Sequence, residues 1–218
     1  MALGTHWEWR GFGAVTPGFA NDFNQFDVHT ESHTVKDNYL WIPGMEVNAK
    51  FRKGVEDGLK FKRKQTSEGS FEVWSEDPDE LFEFPIGGSG WSMLREDLDE
   101  SGLSLSRYPG TPQNREETTQ LLEQAGCSII TVRKHRMTVR WQRNNHDVLI
   151  EWAVITEPQH CISIGLENWS PDEADNLSSN RALDGLREAH SQLNLDEEPL
   201  EPLNYLDAVR QWVDGECI

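Results

Sequence analysis

The sequence has few cysteines, a shortage of basic residues and no long apolar run. Its three cysteines, Cys127, Cys161 and Cys217, are odd in number and far apart, so they fit neither a disulfide framework nor the paired spacings of a zinc site. No run of about 18 apolar residues is present to span a bilayer. The first residues also lack the basic start and apolar stretch of a secretory signal. We therefore expect a cytoplasmic protein with no membrane partner.

Basic residues are outnumbered almost two to one. The chain has 20 Lys and Arg against 38 Asp and Glu, a net charge of −18. Binding to a nucleic acid polymer or to an anionic membrane surface requires a basic surface that replaces counterions. The composition argues against both, and any expected partner is a small molecule.

Aromatic residues are plentiful. The apolar set makes up 36% of the 218 residues, with 17 glycines, nine tryptophans and nine phenylalanines. A disordered acidic chain lacks the aromatic mass to offset the entropy lost on ordering. The length suits one ordinary domain, and we predict a single domain over residues 1–218.

Charge is segregated along the chain. Residues 76–126 carry 12 acidic and 3 basic side chains, and residues 152–218 carry 14 and 3. In contrast, residues 127–151 carry 5 basic and 2 acidic side chains. The acidic blocks have mostly helical patterns and are typical of a solvated surface, whereas the basic residues fall in segments that alternate like strands.

Apolar and polar residues alternate in eight segments, the signature of half-buried strands. These segments cover residues 5–14, 35–42, 46–52, 59–65, 70–75, 128–142, 146–156 and 160–168. Helical composition covers residues 77–84, 112–125, 171–193 and 201–213. Residues 15–34 fit either a short helix or an ordered loop. The pattern predicts an α+β fold: an eight-stranded antiparallel β-barrel that forms a tunnel, with appended helices, because closure removes exposed strand edges.

The middle helix has the clearest end signals. Thr111 is placed to cap it, Pro112 suits its first turn and Gly126 ends it.

Cations recur at a spacing of two on several predicted strands, so each set points to one face. The rows are His6, Glu8 and Arg10; Lys50 and Arg52; Lys60, Lys62 and Lys64; and Lys134, Arg136 and Arg140. If the rows face outward, they are ordinary solvated strand faces. If the sheet closes with the rows inside, they form one strongly positive cavity that suits a phosphate chain, since Arg and Lys both bind phosphate oxygens.

Three glutamates accompany these rows. Glu8 lies between His6 and Arg10, and Glu151 and Glu167 end apolar strand runs. Carboxylate oxygens are the hard ligands that hold Mg²⁺ or Mn²⁺. The sequence thus predicts a divalent cation beside the phosphates.

The order of these motifs resembles the CYTH or triphosphate tunnel metalloenzymes, a family that includes thiamine triphosphatases, inorganic triphosphatases and class IV adenylyl cyclases. The family pattern E-x-E-x-K, D-x-Y, basic strands, K-x-R and E-x-E, with a closing S-Y-x-x-L helix, is matched here in order. The corresponding segments are His6-Trp7-Glu8-Trp9-Arg10, Asp37-Asn38-Tyr39, Lys50-Phe51-Arg52, Leu59-Lys60-Phe61-Lys62, Lys134-His135-Arg136, Gly165-Leu166-Glu167 and Leu203-Asn204-Tyr205-Leu206. His6 and Gly165 stand where the family has glutamates, and Arg10 where it has lysine.

The resemblance implies roles for individual residues. It makes Glu8, Glu151 and Glu167 the catalytic and metal-binding carboxylates, with His6 as a replacement metal ligand. The phosphate-binding candidates implied by the resemblance, together with the strand rows, are Arg10, Lys50, Arg52, Lys60, Lys62, Lys134, Arg136 and Arg140.

The expected activity is metal-dependent hydrolysis of inorganic triphosphate, a nucleotide or thiamine triphosphate. The main alternative is a catalytically degenerate protein of the same fold that binds phosphate or nucleotide without turnover. A barrel of the lipocalin type is a third reading, but its lumen would be lined by apolar residues rather than cations. The sequence leaves the oligomeric state open.

Overall fold

A computed structural model describes residues 4–19, 31–53, 58–76, 81–103, 105, 112–169 and 176–218. The strands are β1 Gly4–Gly13, β2 Glu31–Trp41, β3 Val47–Lys53, β4 Gly58–Glu68, β5 Phe71–Glu76, β6 Phe82–Glu83, β7 Ser128–Arg143, β8 His146–Glu157, β9 Cys161–Trp169 and β10 Leu200–Pro202. The helices whose two ends lie in the described ranges are α1 Gly88–Glu100, α2 Arg115–Ala125, α3 Asn176–Gln192 and α4 Tyr205–Asp214, with a 3₁₀ turn at Leu195–Glu197. No helix in the described ranges is long and apolar enough to cross a membrane.

Eight strands close into an antiparallel barrel, which confirms the predicted fold class. Their order is β1, β5, β4, β3, β2, β7, β8 and β9, and β9 pairs again with β1. β1 is therefore hydrogen-bonded along both edges, to β5 through residues 4–8 and to β9 through residues 6–13. β6 and β10 are short additions that pair with β4 and β1.

The barrel has a polar inner face and an apolar outer face. Trp7 and Trp9 alternate with the inward His6, Glu8 and Arg10 on β1, because successive strand residues point to opposite sides. Both tryptophans are buried in a cluster with outward residues of β7, β8 and β9 and with the apolar side of α3. The helix covers apolar surface that closure of the barrel alone would leave in water.

A second apolar cluster covers the opposite part of the wall. Leu94 and Leu98 of α1 and Leu122 of α2 pack there on β3 and β4, through residues such as Phe51 and Leu59. Burial of these side chains, each worth about 1.5–3 kcal/mol, fixes the two acidic helices to the barrel. Most of their acidic side chains stay exposed, whereas Asp97 is buried and pairs with Arg63.

The last helix packs on inward-facing residues. Phe12, in phase with Glu8 and Arg10, meets the ring of Tyr205 edge to face at 5.1 Å and that of Trp212 at 5.9 Å. Tyr39 stacks on Tyr205 at 5.2 Å. α4 therefore fills one part of the lumen with apolar side chains and projects Tyr205 toward the charged remainder.

The prediction of a helix over residues 77–84 is wrong for its described part, residues 81–84. Phe82–Glu83 form β6 on β4, and the residue before a proline disfavours helical geometry, as at Phe84 before Pro85. The helix follows instead at Gly88–Glu100, in a segment for which the sequence analysis predicts none. Residues 77–80 lie outside the described residues.

Helix ends differ from the predicted ones by a few residues. α2 begins at Arg115 rather than near residue 112, and its cap is Asn114, whose side chain accepts from the Glu117 N–H at 2.9 Å. The predicted cap Thr111 lies outside the described residues. Gly126 ends the helix as predicted, with a left-handed φ of 106° that suits glycine. Within the segment 15–34, residues 17–19 are helical, but residues 31–34 belong to β2, which begins four residues earlier than predicted. Residues 20–30 lie outside the described residues.

Candidate phosphate and metal site in the barrel lumen

A cavity of about 180 Å³ lies inside the barrel. Its described walls carry seven Lys and Arg side chains and four glutamates. They are Arg10, Lys50, Arg52, Lys60, Lys62, Lys134 and Arg136, with Glu8, Glu76, Glu151 and Glu167. Seven of the eight predicted phosphate-binding residues and all three predicted carboxylates thus line one cavity.

Arg140 is the predicted phosphate-binding residue that the structure places elsewhere. β7 is 16 residues long, and its inward row runs beyond the charged part of the lumen. The side chain of Arg140 is 68% exposed, pairs with Asp147 at 3.1 Å and lines a second cavity of about 540 Å³. Period-two spacing sets the face of a residue but not its depth along the barrel.

Glu8 is the first buried carboxylate of the cavity. Its Oε1 accepts from Arg10 Nε at 3.1 Å, and its Oε2 contacts Lys62. Burial raises the pKa of Glu8, but the charges of Lys62 and Arg10 outweigh it and hold that pKa well below its usual value. Glu8 is therefore an anion at neutral pH.

Glu151 is surrounded by cations. Its oxygens lie 3.0 Å from Arg10 Nη1, 3.2 Å from Lys134 Nζ and 3.4 Å from Arg136 Nη1. Burial raises its pKa, but the charges of Lys134 and the two arginines outweigh burial and hold that pKa well below its usual value. Glu167 is less enclosed: its side chain is 19% exposed and lies 3.5 Å from Arg10 Nη2.

Asp37 is a buried carboxylate beside the cavity that the sequence analysis does not single out beyond its place in the D-x-Y motif. It is fully buried on β2, 3.1 Å from Arg52 Nε and 3.4 Å from Lys50 Nζ. Burial raises its pKa, but Lys50 and Arg52 bring it down to about 2. Asp37 orients the two cations of β3, its neighbouring strand.

Tyr205 also has a role that only the structure shows. Its hydroxyl accepts from Lys134 Nζ at 2.8 Å. Its ring lies 4.3 Å from Lys134 Nζ and 4.8 Å from Arg10 Cζ, distances at which an aromatic face attracts a cation. Tyr205, the first residue of α4, thus lines the cavity and holds Lys134 and Arg10 in place.

His6, Glu8 and Glu167 form a cluster with the composition of a metal site. One ligand atom from each lies within 4.8 Å of the others. His6 is 1% exposed, its ring stacks on Trp169 at 4.3 Å, and neither ring nitrogen makes a hydrogen bond within the described chain. Its Nε2 lies 3.5 Å from Glu8 Oε2. A buried imidazole beside two carboxylates fits a cation, and suits Mn²⁺ better than Mg²⁺. The predicted fourth ligand, Glu151, is not part of this cluster.

Lys50 differs from the other lumen cations with a shifted pKa, because its pKa is lowered. Burial lowers its pKa to about 7, and Asp37 only partly opposes that effect, while Arg52 and Lys134 add to it. Lys50 is therefore only partly protonated at neutral pH in the free protein.

No known family model and no curated protein matches the sequence. Solved structures show a distant likeness. One is a conserved hypothetical protein from Pyrococcus furiosus, with 16% identity and a TM-score of 0.48 over 92% of this chain and 98% of that one. Another is a Pyrococcus horikoshii protein with 11% identity and a TM-score of 0.49 over 94% and 98%. A third, from Bacillus halodurans and described provisionally as an adenylate cyclase, has 11% identity and a TM-score of 0.44 over 92% and 94%. At this distance the likenesses carry no argument about function, which is inferred from the site itself.

The shifted pKa of Lys50 predicts how stability changes with pH. Between about 7, its folded value, and 10.5, its ordinary value, the unfolded chain binds a proton that the folded chain has released. The free energy of unfolding of the wild type should therefore rise with pH relative to Lys50→Met, by up to about 1.4 kcal/mol per pH unit. Urea unfolding of both proteins at intervals from pH 6.5 to 9.5 measures this difference. Parallel stability curves across that range would contradict the assignment.

Proposed function

We propose that the protein binds a linear triphosphate, or the triphosphate group of an ester, inside the barrel and hydrolyses it with the help of Mg²⁺ or Mn²⁺. Inorganic triphosphate, nucleotides and thiamine triphosphate are the candidate substrates. The resemblance of the strand motifs to triphosphate tunnel enzymes supports the proposal, and the charge of the lumen supports it independently.

The observation that carries the proposal is an excess of cations around one cavity, one of which has an unused donor. Seven Lys and Arg face four glutamates around the cavity. Among the described residues, the Nε of Arg136 is buried without a hydrogen-bond partner. Leaving such a donor unpaired costs about 1–3 kcal/mol, and more for a charged group, so an anion in the cavity removes a penalty that the free protein carries.

The size and polarity of the cavity narrow the class of ligand. Its volume of about 180 Å³ is below the roughly 300–1,000 Å³ of pockets for drug-sized molecules. Its walls are mostly charged, which disfavours the apolar ligand of a lipocalin-type barrel. A phosphate chain is narrow, carries several charges and can accept from every cation along the lumen.

The chemistry follows from charge placement. Lys62, Lys134 and Arg136 would hold the phosphate oxygens and neutralise the charge that develops as the phosphoryl group is transferred. Glu167 is the carboxylate best placed to orient the attacking water, since it is the most exposed of the three predicted carboxylates. His6, Glu8 and Glu167 would hold the divalent cation, which when bound supplies further positive charge to the phosphate oxygens.

A binder without turnover is the second candidate, and one observation favours it. Glu8 and Glu151 are each engaged by two or more cations, which lowers their basicity. Purified protein should be incubated with tripolyphosphate, nucleoside triphosphates and thiamine triphosphate, each with Mg²⁺ or Mn²⁺, while phosphate, pyrophosphate and cyclic nucleotide are scored. Phosphate release supports hydrolysis, whereas saturable binding without any product supports the second candidate.

Replacing Arg136 by Ala should weaken tripolyphosphate binding by about 1.5–3 kcal/mol, the scale of a hydrogen bond to a charged group. Arg133→Ala is the matched control: it removes the same charge from the same strand, but Arg133 is half-exposed and pairs with Glu157 at 3.3 Å. Isothermal titration calorimetry measures both affinities. Equal losses in the two variants would show that only the overall charge matters, and no loss in either would remove Arg136 from the site.

Metal binding should depend on the anion and should favour Mn²⁺. Two carboxylates and one imidazole hold a hard cation weakly until phosphate oxygens complete its shell, so Mn²⁺ affinity should rise when tripolyphosphate is present. His6→Gln should remove the preference for Mn²⁺ over Mg²⁺, whereas His160→Gln, at an exposed position, should retain it. Calorimetry with and without the anion provides the comparison. Tight metal binding without the anion, or an unchanged preference in His6→Gln, would contradict the site.

A further inference from the structure

We propose that Arg10 is a built-in cation that takes the place of a second metal ion in the lumen, and that Gly165 is the residue that makes room for it. The inference concerns the same cavity as the proposed function. It does not require that a triphosphate binds, because it concerns how the carboxylates are neutralised in the free protein.

The strand register creates the need for a cation. Glu8 on β1 lies directly opposite Glu167 on β9, and like charges in directly opposed positions are destabilising. Glu151 on β8 is opposite Gly165, which is in turn opposite Arg10. Three carboxylates from three adjacent strands therefore meet in one part of the lumen.

Arg10 forms ion pairs with all three carboxylates. Its Nε lies 3.1 Å from Glu8, its Nη1 3.0 Å from Glu151 and its Nη2 3.5 Å from Glu167. Nη1 also donates to Ser163 Oγ at 3.1 Å. The side chain is 4% exposed. A guanidinium has five donors in a fixed fork, and here the protein's own oxygens engage most of them. Arg10 thus differs from Arg136, which keeps a buried unpaired donor, and its main partners are carboxylates rather than phosphate.

Gly165 gives the guanidinium its space. A Cβ built on Gly165 would lie 2.5 Å from Nη2, 2.7 Å from Cζ and 2.9 Å from Nη1 of Arg10. Arg10 and Glu151 are the partners of Gly165 on the two neighbouring strands, and the head of Arg10 is held there by three carboxylates. Any larger residue at position 165 must displace the head of Arg10, so the two residues work as a pair.

The consequence is a limit on metal content. With Arg10 in place, Glu151 and Glu8 Oε1 are already neutralised, and Lys62 contacts Glu8 Oε2. The cluster of His6, Glu8 and Glu167 therefore accepts at most one divalent cation. Without the guanidinium, three converging carboxylates lose a shared cation and become an oxygen-rich site of the kind that Mn²⁺ or Ca²⁺ occupies.

The test is the number of Mn²⁺ ions bound per chain, measured by electron paramagnetic resonance of free Mn²⁺ without any phosphate. Wild type should bind at most one ion, and Arg10→Gln should bind one more than wild type. Gly165→Ala should also bind one more ion than wild type, because its Cβ displaces the head of Arg10. This second variant keeps the test valid if Arg10→Gln fails to fold. Arg136→Gln is the control, because it removes the same charge from the cavity while its partner Glu151 keeps Arg10 and Lys134.

Thermal unfolding gives a second readout. The melting temperature of wild type should be the same in EDTA and in Mn²⁺, whereas that of Arg10→Gln should fall in EDTA and recover with Mn²⁺. The proposal is overturned if wild type binds two ions, if neither Arg10→Gln nor Gly165→Ala gains one, or if Arg136→Gln gains one equally. If the wild type does not bind tripolyphosphate, the proposed function fails, but the number of Mn²⁺ ions bound by each variant still tests the role of Arg10.

Discussion

Charge balance inside the closed barrel is the constraint on which the rest of the structure depends. An isolated charge in a dry interior is too costly to keep, so buried ions persist only when they are paired. Glu8, Glu151 and Asp37 are each held by two or three cations. These pairs keep the lumen charged, and the residual positive charge is what the proposed triphosphate would neutralise.

The outside of the barrel follows from the same arrangement. Because the inward positions of the strands are taken by ions, the outward positions carry the apolar side chains that stabilise the fold. Trp9 and Leu166 pack under α3, and Phe51 and Leu59 pack under α1 and α2. Residues 76–126 and 152–218 hold 26 of the 38 acidic side chains but only 6 of the 20 basic ones, which explains how a protein of net charge −18 can have a cavity lined by seven Lys and Arg.

Period-two alternation is enough to predict the strands, the barrel and most of the lumen, since it assigns a face to each residue without tertiary information. It does not give depth or register. Arg140 shares a face with Arg136 but lies beyond the charged region, and Tyr205 reaches the lumen from a helix. The segment 81–84 looked helical by composition and became a strand through pairing with β4. The partnership of Arg10 and Gly165 joins residues far apart in sequence, and only the pairing of β1 with β9 reveals it.

A crystal structure of the protein with tripolyphosphate and Mn²⁺ tests the central claim most directly. The account predicts electron density for three linked phosphates inside the barrel, with oxygens within hydrogen-bond distance of Arg136 and Lys62 and an anomalous Mn²⁺ signal beside His6. Phosphates bound only on the outer surface, or a lumen that contains solvent alone at a saturating concentration of the anion, would contradict it.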